Sequence, residues 1–245
     1  MRISAISDVH VRAPHDEADR LLMSFFSHPL VVKSEYVLLL GDIFDLMCGP
    51  HQAYLNDFQH IFQRIDELMK SGIKVFYCEG NHDVHLETLF KLFWPENGLV
   101  PLQTPVIEEI DGKTYYFSHG DEHEVDNLSY QRYKKTILSS PLKFVANKIM
   151  PYAVLNMIGR RASKISRKKG ARLFDEEAVK KRFREGIEIS LQNKNYDFIL
   201  GGHSHVRDLY QLSNGNSTYV NNGYALRTRS FISINNHEVT FENLT

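Results

Sequence analysis

Five short clusters of aspartate, histidine and asparagine punctuate the chain: Asp8-Val9-His10, Gly41-Asp42, Gly80-Asn81-His82-Asp83, His119-Gly120-Asp121 and Gly202-His203-Ser204-His205. Such side chains are oxygen and imidazole donors suited to Mn, Zn or Fe. With only Cys48 and Cys78 in the sequence, a thiolate zinc site is not expected. Asp8, His10, Asp42, Asn81, His119, His203 and His205 make seven donors, more than a single ion with open positions can use. If Asp42 bridges two ions with both of its oxygens, each ion receives four protein ligands, and His203 and His205 serve one ion each. Two cations about 3.5–4 Å apart clamp the attacking and leaving oxygens of a phosphoryl displacement. Water activated by a divalent cation is then the economical nucleophile, and no activated serine or cysteine is needed. Charge building on the equatorial oxygens would be stabilised by the cations and by protonated His82.

Each cluster follows an apolar or β-branched run. Strands are expected at Arg2 to Ser7, Tyr36 to Leu40, Lys74 to Cys78, Lys113 to Ser118 and Asp197 to Leu200, with helices at Glu17 to Ser27, Gln52 to Met69 and Leu86 to Phe93. This alternation reads as an α/β fold built from crossover units, whose ligands collect at the carboxyl edge of the strands. Glycines at 41, 80, 120, 201 and 202 permit tight turns there. After Gly202 the pattern changes to short strands, Asp208 to Leu212, Ser217 to Asn221, Ser230 to Ile234 and Glu238 to Glu242, broken by Asn-Gly and Asn-Asn pairs. An antiparallel, hairpin-like end is expected.

A lone D-x-H or G-D occurs by chance in many proteins, whereas five blocks in order are specific. The series D-x-H, G-D, G-N-H-D, H and G-H-x-H resembles that of the calcineurin-like metallophosphoesterases over essentially the whole chain. The resemblance implies a four-layer α/β-β/α sandwich. It implies one metal held by Asp8, His10, Asp42 and His205, and a second by Asp42, Asn81, His119 and His203, with manganese the expected ion and zinc or iron the alternatives. It further implies that His82 donates to the phosphate or leaving group and that Asp83 orients it.

Charge is uneven. The 48 residues from Asn127 to Phe174 carry twelve Lys or Arg and no Asp or Glu, leaving 17 basic against 30 acidic residues elsewhere. Such a segment should meet something negative. It also carries apolar residues at helical spacing, Phe144, Val145, Ile149, Val154, Leu155 and Ile158, more in keeping with core than with a membrane surface. Pro141 and Pro151 divide it into two or three short helices. A single domain over residues 1–245 with a helical lid inserted at about 126–186 follows. Cations beside an apolar stripe suit a phosphorylated amphiphile, with Arg160, Arg161, Lys164 or Lys168 near the anion and Asp126 and Tyr130 at the lid's root.

The D-x-x-x-Y-Q stretch at Asp126 to Gln131 makes the chain similar to the UDP-2,3-diacylglucosamine diphosphatase family of lipid A biosynthesis. That likeness implies cleavage to UMP and 2,3-diacylglucosamine 1-phosphate. Asn81, Tyr130, Ser163, Lys164 and Lys168 are the implied substrate contacts. The chain departs from that family at His82, where arginine is common, and at Asn127, where a second aspartate is, so a metallophosphoesterase acting on another phospholipid or sugar nucleotide is the alternative expectation.

Met1 leads straight into a strand, and no apolar run reaches the roughly 18 residues of a spanning helix, so a cytoplasmic protein peripheral to an anionic inner-membrane surface is expected. Cys48 and Cys78 are expected as packed or idle thiols. His15, His28, His51, His60 and His237 fit no block and are expected at the surface; His85 and His123 are expected to solvate a rim. A nucleic-acid phosphodiesterase would use the basic segment to track a backbone, but the apolar stripe and acidic remainder oppose nucleic acid as a partner. A metal-free scaffold on the same fold would show eroded ligands, and here every position is filled.

Overall fold

The structure is a computed structural model, and it describes residues 1–96, 98–155, 157, 175–192 and 194–245. Thirteen strands appear among the described residues: β1 (Arg2–Ile6), β2 (Tyr36–Leu40), β3 (Met47–Cys48), β4 (Lys74–Cys78), β5 (Asp83–Val84), β6 (Pro101–Leu102), β7 (Val106–Ile110), β8 (Lys113–Phe117), β9 (Phe198–Gly201), β10 (Arg207–Gln211), β11 (Thr218–Asn222), β12 (Ser230–Asn235) and β13 (Glu238–Asn243). The helices are α1 (Glu17–Ser27), α2 (Gln52–Asp57), α3 (Gln59–Lys70), α4 (Glu87–Phe93), α5 (Leu128–Ile137), α6 (Ser140–Lys148), α7 (Glu176–Ser190) and α8 (Ala225–Thr228).

Two sheets stack face to face, ordered β13-β12-β1-β2-β4-β6 and β10-β11-β9-β8-β7. Strands β1 and β2 are buried on both faces, which is why they read as nearly unbroken apolar runs. Ile3, Ala5, Leu38 and Leu40 point into the space between the sheets and meet Tyr115, Phe117, Leu200 and Val220 there. Ile6, Val37 and Leu39 point the other way, into a core closed by Leu22 and Phe25 of α1 and by Ile61, Phe62 and Ile65 of α3. Beyond the second sheet, Ile187 and Leu191 at the end of α7 pack on Tyr116, Ile199 and Tyr219. Four layers, helix, sheet, sheet and helix, result, as expected.

Three details differ from the expectations. The helix expected from Gln52 to Met69 is two helices broken at Phe58, whose ring is buried against Phe44, so the chain turns to drive it inward. The C-terminal strands do form the hairpins β10-β11 and β12-β13, but β11 also runs parallel to β9, and β12 returns to pair antiparallel with β1. The apolar stripe of the basic segment is not a core face. Phe144, Ile149 and Val154 are exposed while Leu155 packs inward, and Ile158 lies outside the described residues. Helix α6 docks instead through Ala146, which packs on Cys48 and Val84 of the small β3-β5 sheet. Both cysteines are free and buried, and burial pushes the Cys48 thiol up to about 12.

Candidate metal centre

Strands β1, β2 and β4 of one sheet and β8 and β9 of the other deliver the five polar clusters to one edge of the sandwich. Five of the seven donors leave their strands with left-handed backbone: Asp8 (φ +51°), His10 (+55°), Asp42 (+51°), His203 (+64°) and His205 (+58°). That conformation costs a non-glycine residue about 1–2 kcal/mol, and such residues gather at functional sites. The loops hold one another in it. Asp8 N donates to Gly41 O at 3.1 Å and His10 N to Asp42 O at 3.0 Å. Two glycines are required by proximity: a Cβ at Gly80 would lie 2.1 Å from Asp42 Oδ1, and one at Gly202 would lie 2.5 Å from Asp8 Oδ2.

Asp8, His10, Asp42 and His205 offer ligand atoms that all lie within 4.8 Å of one another. His10 Nε2 is 3.2 Å from His205 Nε2 and 3.8 Å from Asp42 Oδ2, and His205 Nε2 is 3.3 Å from Asp8 Oδ1. On the other side of Asp42, His119 Nε2 is 3.6 Å from Asp42 Oδ2 and 3.2 Å from Asn81 Oδ1, which is itself 3.1 Å from His203 Nδ1. Donors bound about 2.1 Å from one ion stand roughly 3.0–3.4 Å apart; the 3.1–3.3 Å contacts within each quartet have that spacing, and those to Asp42 Oδ2, at 3.6 and 3.8 Å, are slightly wider. All seven sequence candidates are brought together. One expectation is corrected: Asp42 does not present both oxygens. Its Oδ1 accepts the His82 backbone N–H at 2.8 Å, because the turn after Gly80 lays that amide over it, and Oδ2 alone faces both His10 and His119.

Ring orientation and charge also suit cations. His119 Nδ1 pairs with Leu40 O at 3.0 Å and His203 Nε2 with Glu124 Oε2 at 3.2 Å, so the opposite nitrogen of each ring turns inward. Burial opposes ionisation of Asp8, but the hydrogen bond and charge of His205, with His119 and His10, hold its carboxyl below the usual range. Burial, helped by His205 and His82, lowers His10 to about 3 against the pull of Asp42, which leaves its imidazole neutral and able to ligate. For His119 burial lowers the pKa, but the charges of Asp42, Asp8 and Asp121 outweigh it and raise the ring to about 9. A cation replacing that proton would be received by the same carboxylates.

His82 lies beside the first quartet, its ring centroid 4.9 Å from that of His10, with Nδ1 bonded to Asp45 O at 2.8 Å. Burial disfavours its protonation, but Asp42 and the Asp45 carbonyl override this and raise its pKa. The role expected for Asp83 is corrected. Asp83 accepts from Asp42 N (3.0 Å), Ile43 N (2.8 Å), Gly80 N (2.7 Å) and Tyr77 OH (2.6 Å), so its oxygens serve the loop that carries Asp42. Asp45, not Asp83, sets the His82 ring.

Among the expected substrate contacts, Asn81 is in the centre, and Tyr130 sits over it with its ring 4.8 Å from that of His203 and its hydroxyl donating to Asp121 at 2.8 Å. Asp126 is exposed at the start of α5, where its backbone carbonyl accepts from Leu128 N. Arg160, Arg161, Ser163, Lys164 and Lys168 lie outside the described residues. His85 and His123 do not solvate a rim: both are buried, with His85 Nε2 bonded to Ile137 O and His123 Nδ1 to Ser190 Oγ.

Sequence reasoning missed Glu124. Buried at 6% exposure, it pairs with His203 through one oxygen, while the other forms an ion pair with Arg182 of α7 at 2.9 Å and accepts from Asn127, the cap of α5, at 3.1 Å. An acidic run after His119 was the only signal, and it looks like a solvated turn. Glu124→Ala is expected to lower metal affinity roughly 10–100-fold, the usual effect of removing such a partner. Calorimetric titration of metal-stripped protein with Mn2+ checks this; unchanged affinity would mean that His203 keeps its orientation without the carboxylate.

The calcineurin-like phosphoesterase family is matched over residues 1–207. The chain belongs to that family of divalent-metal enzymes, and it is a hydrolase of phosphoester or pyrophosphate bonds. More particularly, it is similar to the UDP-2,3-diacylglucosamine hydrolase of Aliivibrio fischeri, with 24% identity over 86% of this chain and 84% of the relative. It is likewise similar to the enzyme of that name from Histophilus somni, with 25% identity over 84% of this chain and 85% of that one. Among solved structures, an archaeal phosphodiesterase overlays with a TM-score of 0.48 at 15% identity, over the whole of both chains.

Proposed function

We propose that this protein cleaves the pyrophosphate of UDP-2,3-diacylglucosamine, giving UMP and 2,3-diacylglucosamine 1-phosphate, with two divalent cations, manganese in the first instance, held by the two quartets that share Asp42. The observation that carries the reading is the pair of donor quartets meeting at one oxygen, Asp42 Oδ2, in a chain similar to hydrolases of that substrate over more than four-fifths of its length. When bound, cations there lower the pKa of coordinated water and neutralise phosphate oxygens. The protein's own groups do the rest. Asp8, Asp42 and the inward-turned imidazoles fix where phosphate charge is tolerated. His82, its Nδ1 engaged by Asp45, keeps Nε2 for donation to a phosphate oxygen or to the leaving group.

The lipid part of the substrate is assigned to the helices beside the centre. Leu128, Tyr133, Leu142, Phe144, Ile149 and Met157 are exposed there among lysines and arginines. Apolar side chains between cations suit acyl chains below a phosphorylated head and a cytoplasmic, peripheral position on an anionic membrane surface. Residues from about 126 to 186 would form the lid of a single domain, with Tyr130 reaching substrate. Among the described residues no helix is long and apolar enough to cross a membrane.

The manganese-loaded enzyme should turn over UDP-2,3-diacylglucosamine faster than an unacylated UDP-sugar or p-nitrophenyl phosphate, with UMP measured by chromatography for the first two and p-nitrophenol by absorbance for the third. Equal rates on acylated and unacylated substrates would remove the lipid assignment and leave the phosphohydrolase.

A further inference from the structure

A second set of donors lies on the helical face of the molecule, apart from the centre described above. We propose that Asp19, His15 and His60 form a separate binding site for one first-row divalent cation of the zinc type. Their ligand atoms lie within 4.8 Å of one another. Asp19 is on the first turn of α1, and its carboxylate is 1% exposed. His60, from α3, places Nε2 at 2.9 Å from Asp19 Oδ1 and 2.8 Å from Oδ2. His15 precedes the helix, with Nδ1 at 3.9 Å from Asp19 Oδ2 and its ring stacked on that of His60 at 5.1 Å.

The bland reading is an ion pair between His60 and Asp19, and it leaves His15 unexplained. One imidazole, at 2.8–2.9 Å, already satisfies the carboxylate. A second, stacked on the first, would add like-charge repulsion if protonated, whereas as a neutral ring it is a borderline donor. Its placement is also costly. His15 holds a left-handed backbone (φ +63°), worth about 1–2 kcal/mol against it. Hydrogen bonds fix that kink: His15 N donates to Asp19 Oδ2 at 2.5 Å, and Arg20 Nη1 donates to His15 O at 2.6 Å. The result is two imidazoles and a carboxylate on one side, with the His15 side chain 81% exposed on the other, where water would complete the shell. To take the ion, the proton between His60 Nε2 and Asp19 leaves to water, those two donors spread from 2.8–2.9 Å, and His15 Nδ1 closes in from 3.9 Å, toward the roughly 3.0–3.4 Å of a coordination shell. The site would tie α1 to α3 just beyond the loop that carries Asp8 and His10.

The test is a count of zinc. Metal-stripped wild type, His15→Ala and His60→Ala are equilibrated with excess Zn2+, desalted into chelator-free buffer and analysed by plasma mass spectrometry. Wild type should retain one more zinc per chain than either variant, while His15→Ala keeps wild-type turnover of p-nitrophenyl phosphate when manganese-loaded. His15 is so exposed that its variant should fold even if His60→Ala, which strands buried Asp19, does not. Equal zinc content in wild type and His15→Ala overturns the proposal without touching the phosphoesterase centre.

Discussion

Asp42→Ala is expected to cut turnover of p-nitrophenyl phosphate by about 10³-fold or more, and to strip the protein of bound manganese. The magnitude follows from position. Asp42 Oδ2 is the one oxygen facing donors of both quartets, 3.8 Å from His10 Nε2 and 3.6 Å from His119 Nε2, so alanine removes a ligand and a negative charge from both sides at once. Losing even one group that stabilises transition-state charge costs about 10²–10³ in rate. The informative comparison is His82→Ala, which removes a proton donor but no ligand. It should lower the rate by about 10²-fold, within the range for general acids, with the metal content unchanged. Metal per chain, measured beside kcat for both variants, separates the two effects. Wild-type turnover in an Asp42→Ala protein that holds no metal would sink the dinuclear reading.

Asp83→Ala should lower stability by roughly 3–4 kcal/mol. Four backbone amides, Asp42 N, Ile43 N, Gly80 N and, at a longer 3.4 Å, Phe44 N, and the Tyr77 hydroxyl converge on this carboxylate, which is fully buried. Each donor stranded in such a place costs about 1–3 kcal/mol, less what relaxation or water recovers. For a chain of this size the fall in Tm is about 10 °C. Scanning calorimetry of metal-stripped protein is the proper measurement, because in loaded protein a displaced Asp42 would add the loss of metal to the loss of hydrogen bonds. An unchanged Tm would show that solvent takes over all five donors.

Much of this was legible because chemistry imposes residue type as well as position. A cation needs Asp, His or Asn at a strand end, and such side chains after apolar runs are conspicuous, so the seven donors and an α/β fold could be read directly, while the layered sandwich came from the family resemblance. Asp83 was legible as important and misread as to purpose, since a carboxylate beside a histidine looks the same whether it orients a ring or anchors a loop. Glu124 was illegible because its partners, His203 and Arg182, are brought to it only by folding. The break at Phe58 escaped periodicity for a related reason: both halves keep a helical pattern, and only the pocket around Phe44 says where the turn must fall. His60 was assigned to the surface because its partner Asp19 is 41 residues away in sequence.

The donors are drawn from both halves of the sandwich, with Asp8, Asp42 and Asn81 following strands of one sheet and His119 and His203 following strands of the other. Neither half owns a complete set. The first sheet alone supplies Asp8, His10 and Asp42, and His205 reaches them only when the second sheet is docked. A cation held by either quartet would therefore join the two sheets across this edge of the sandwich.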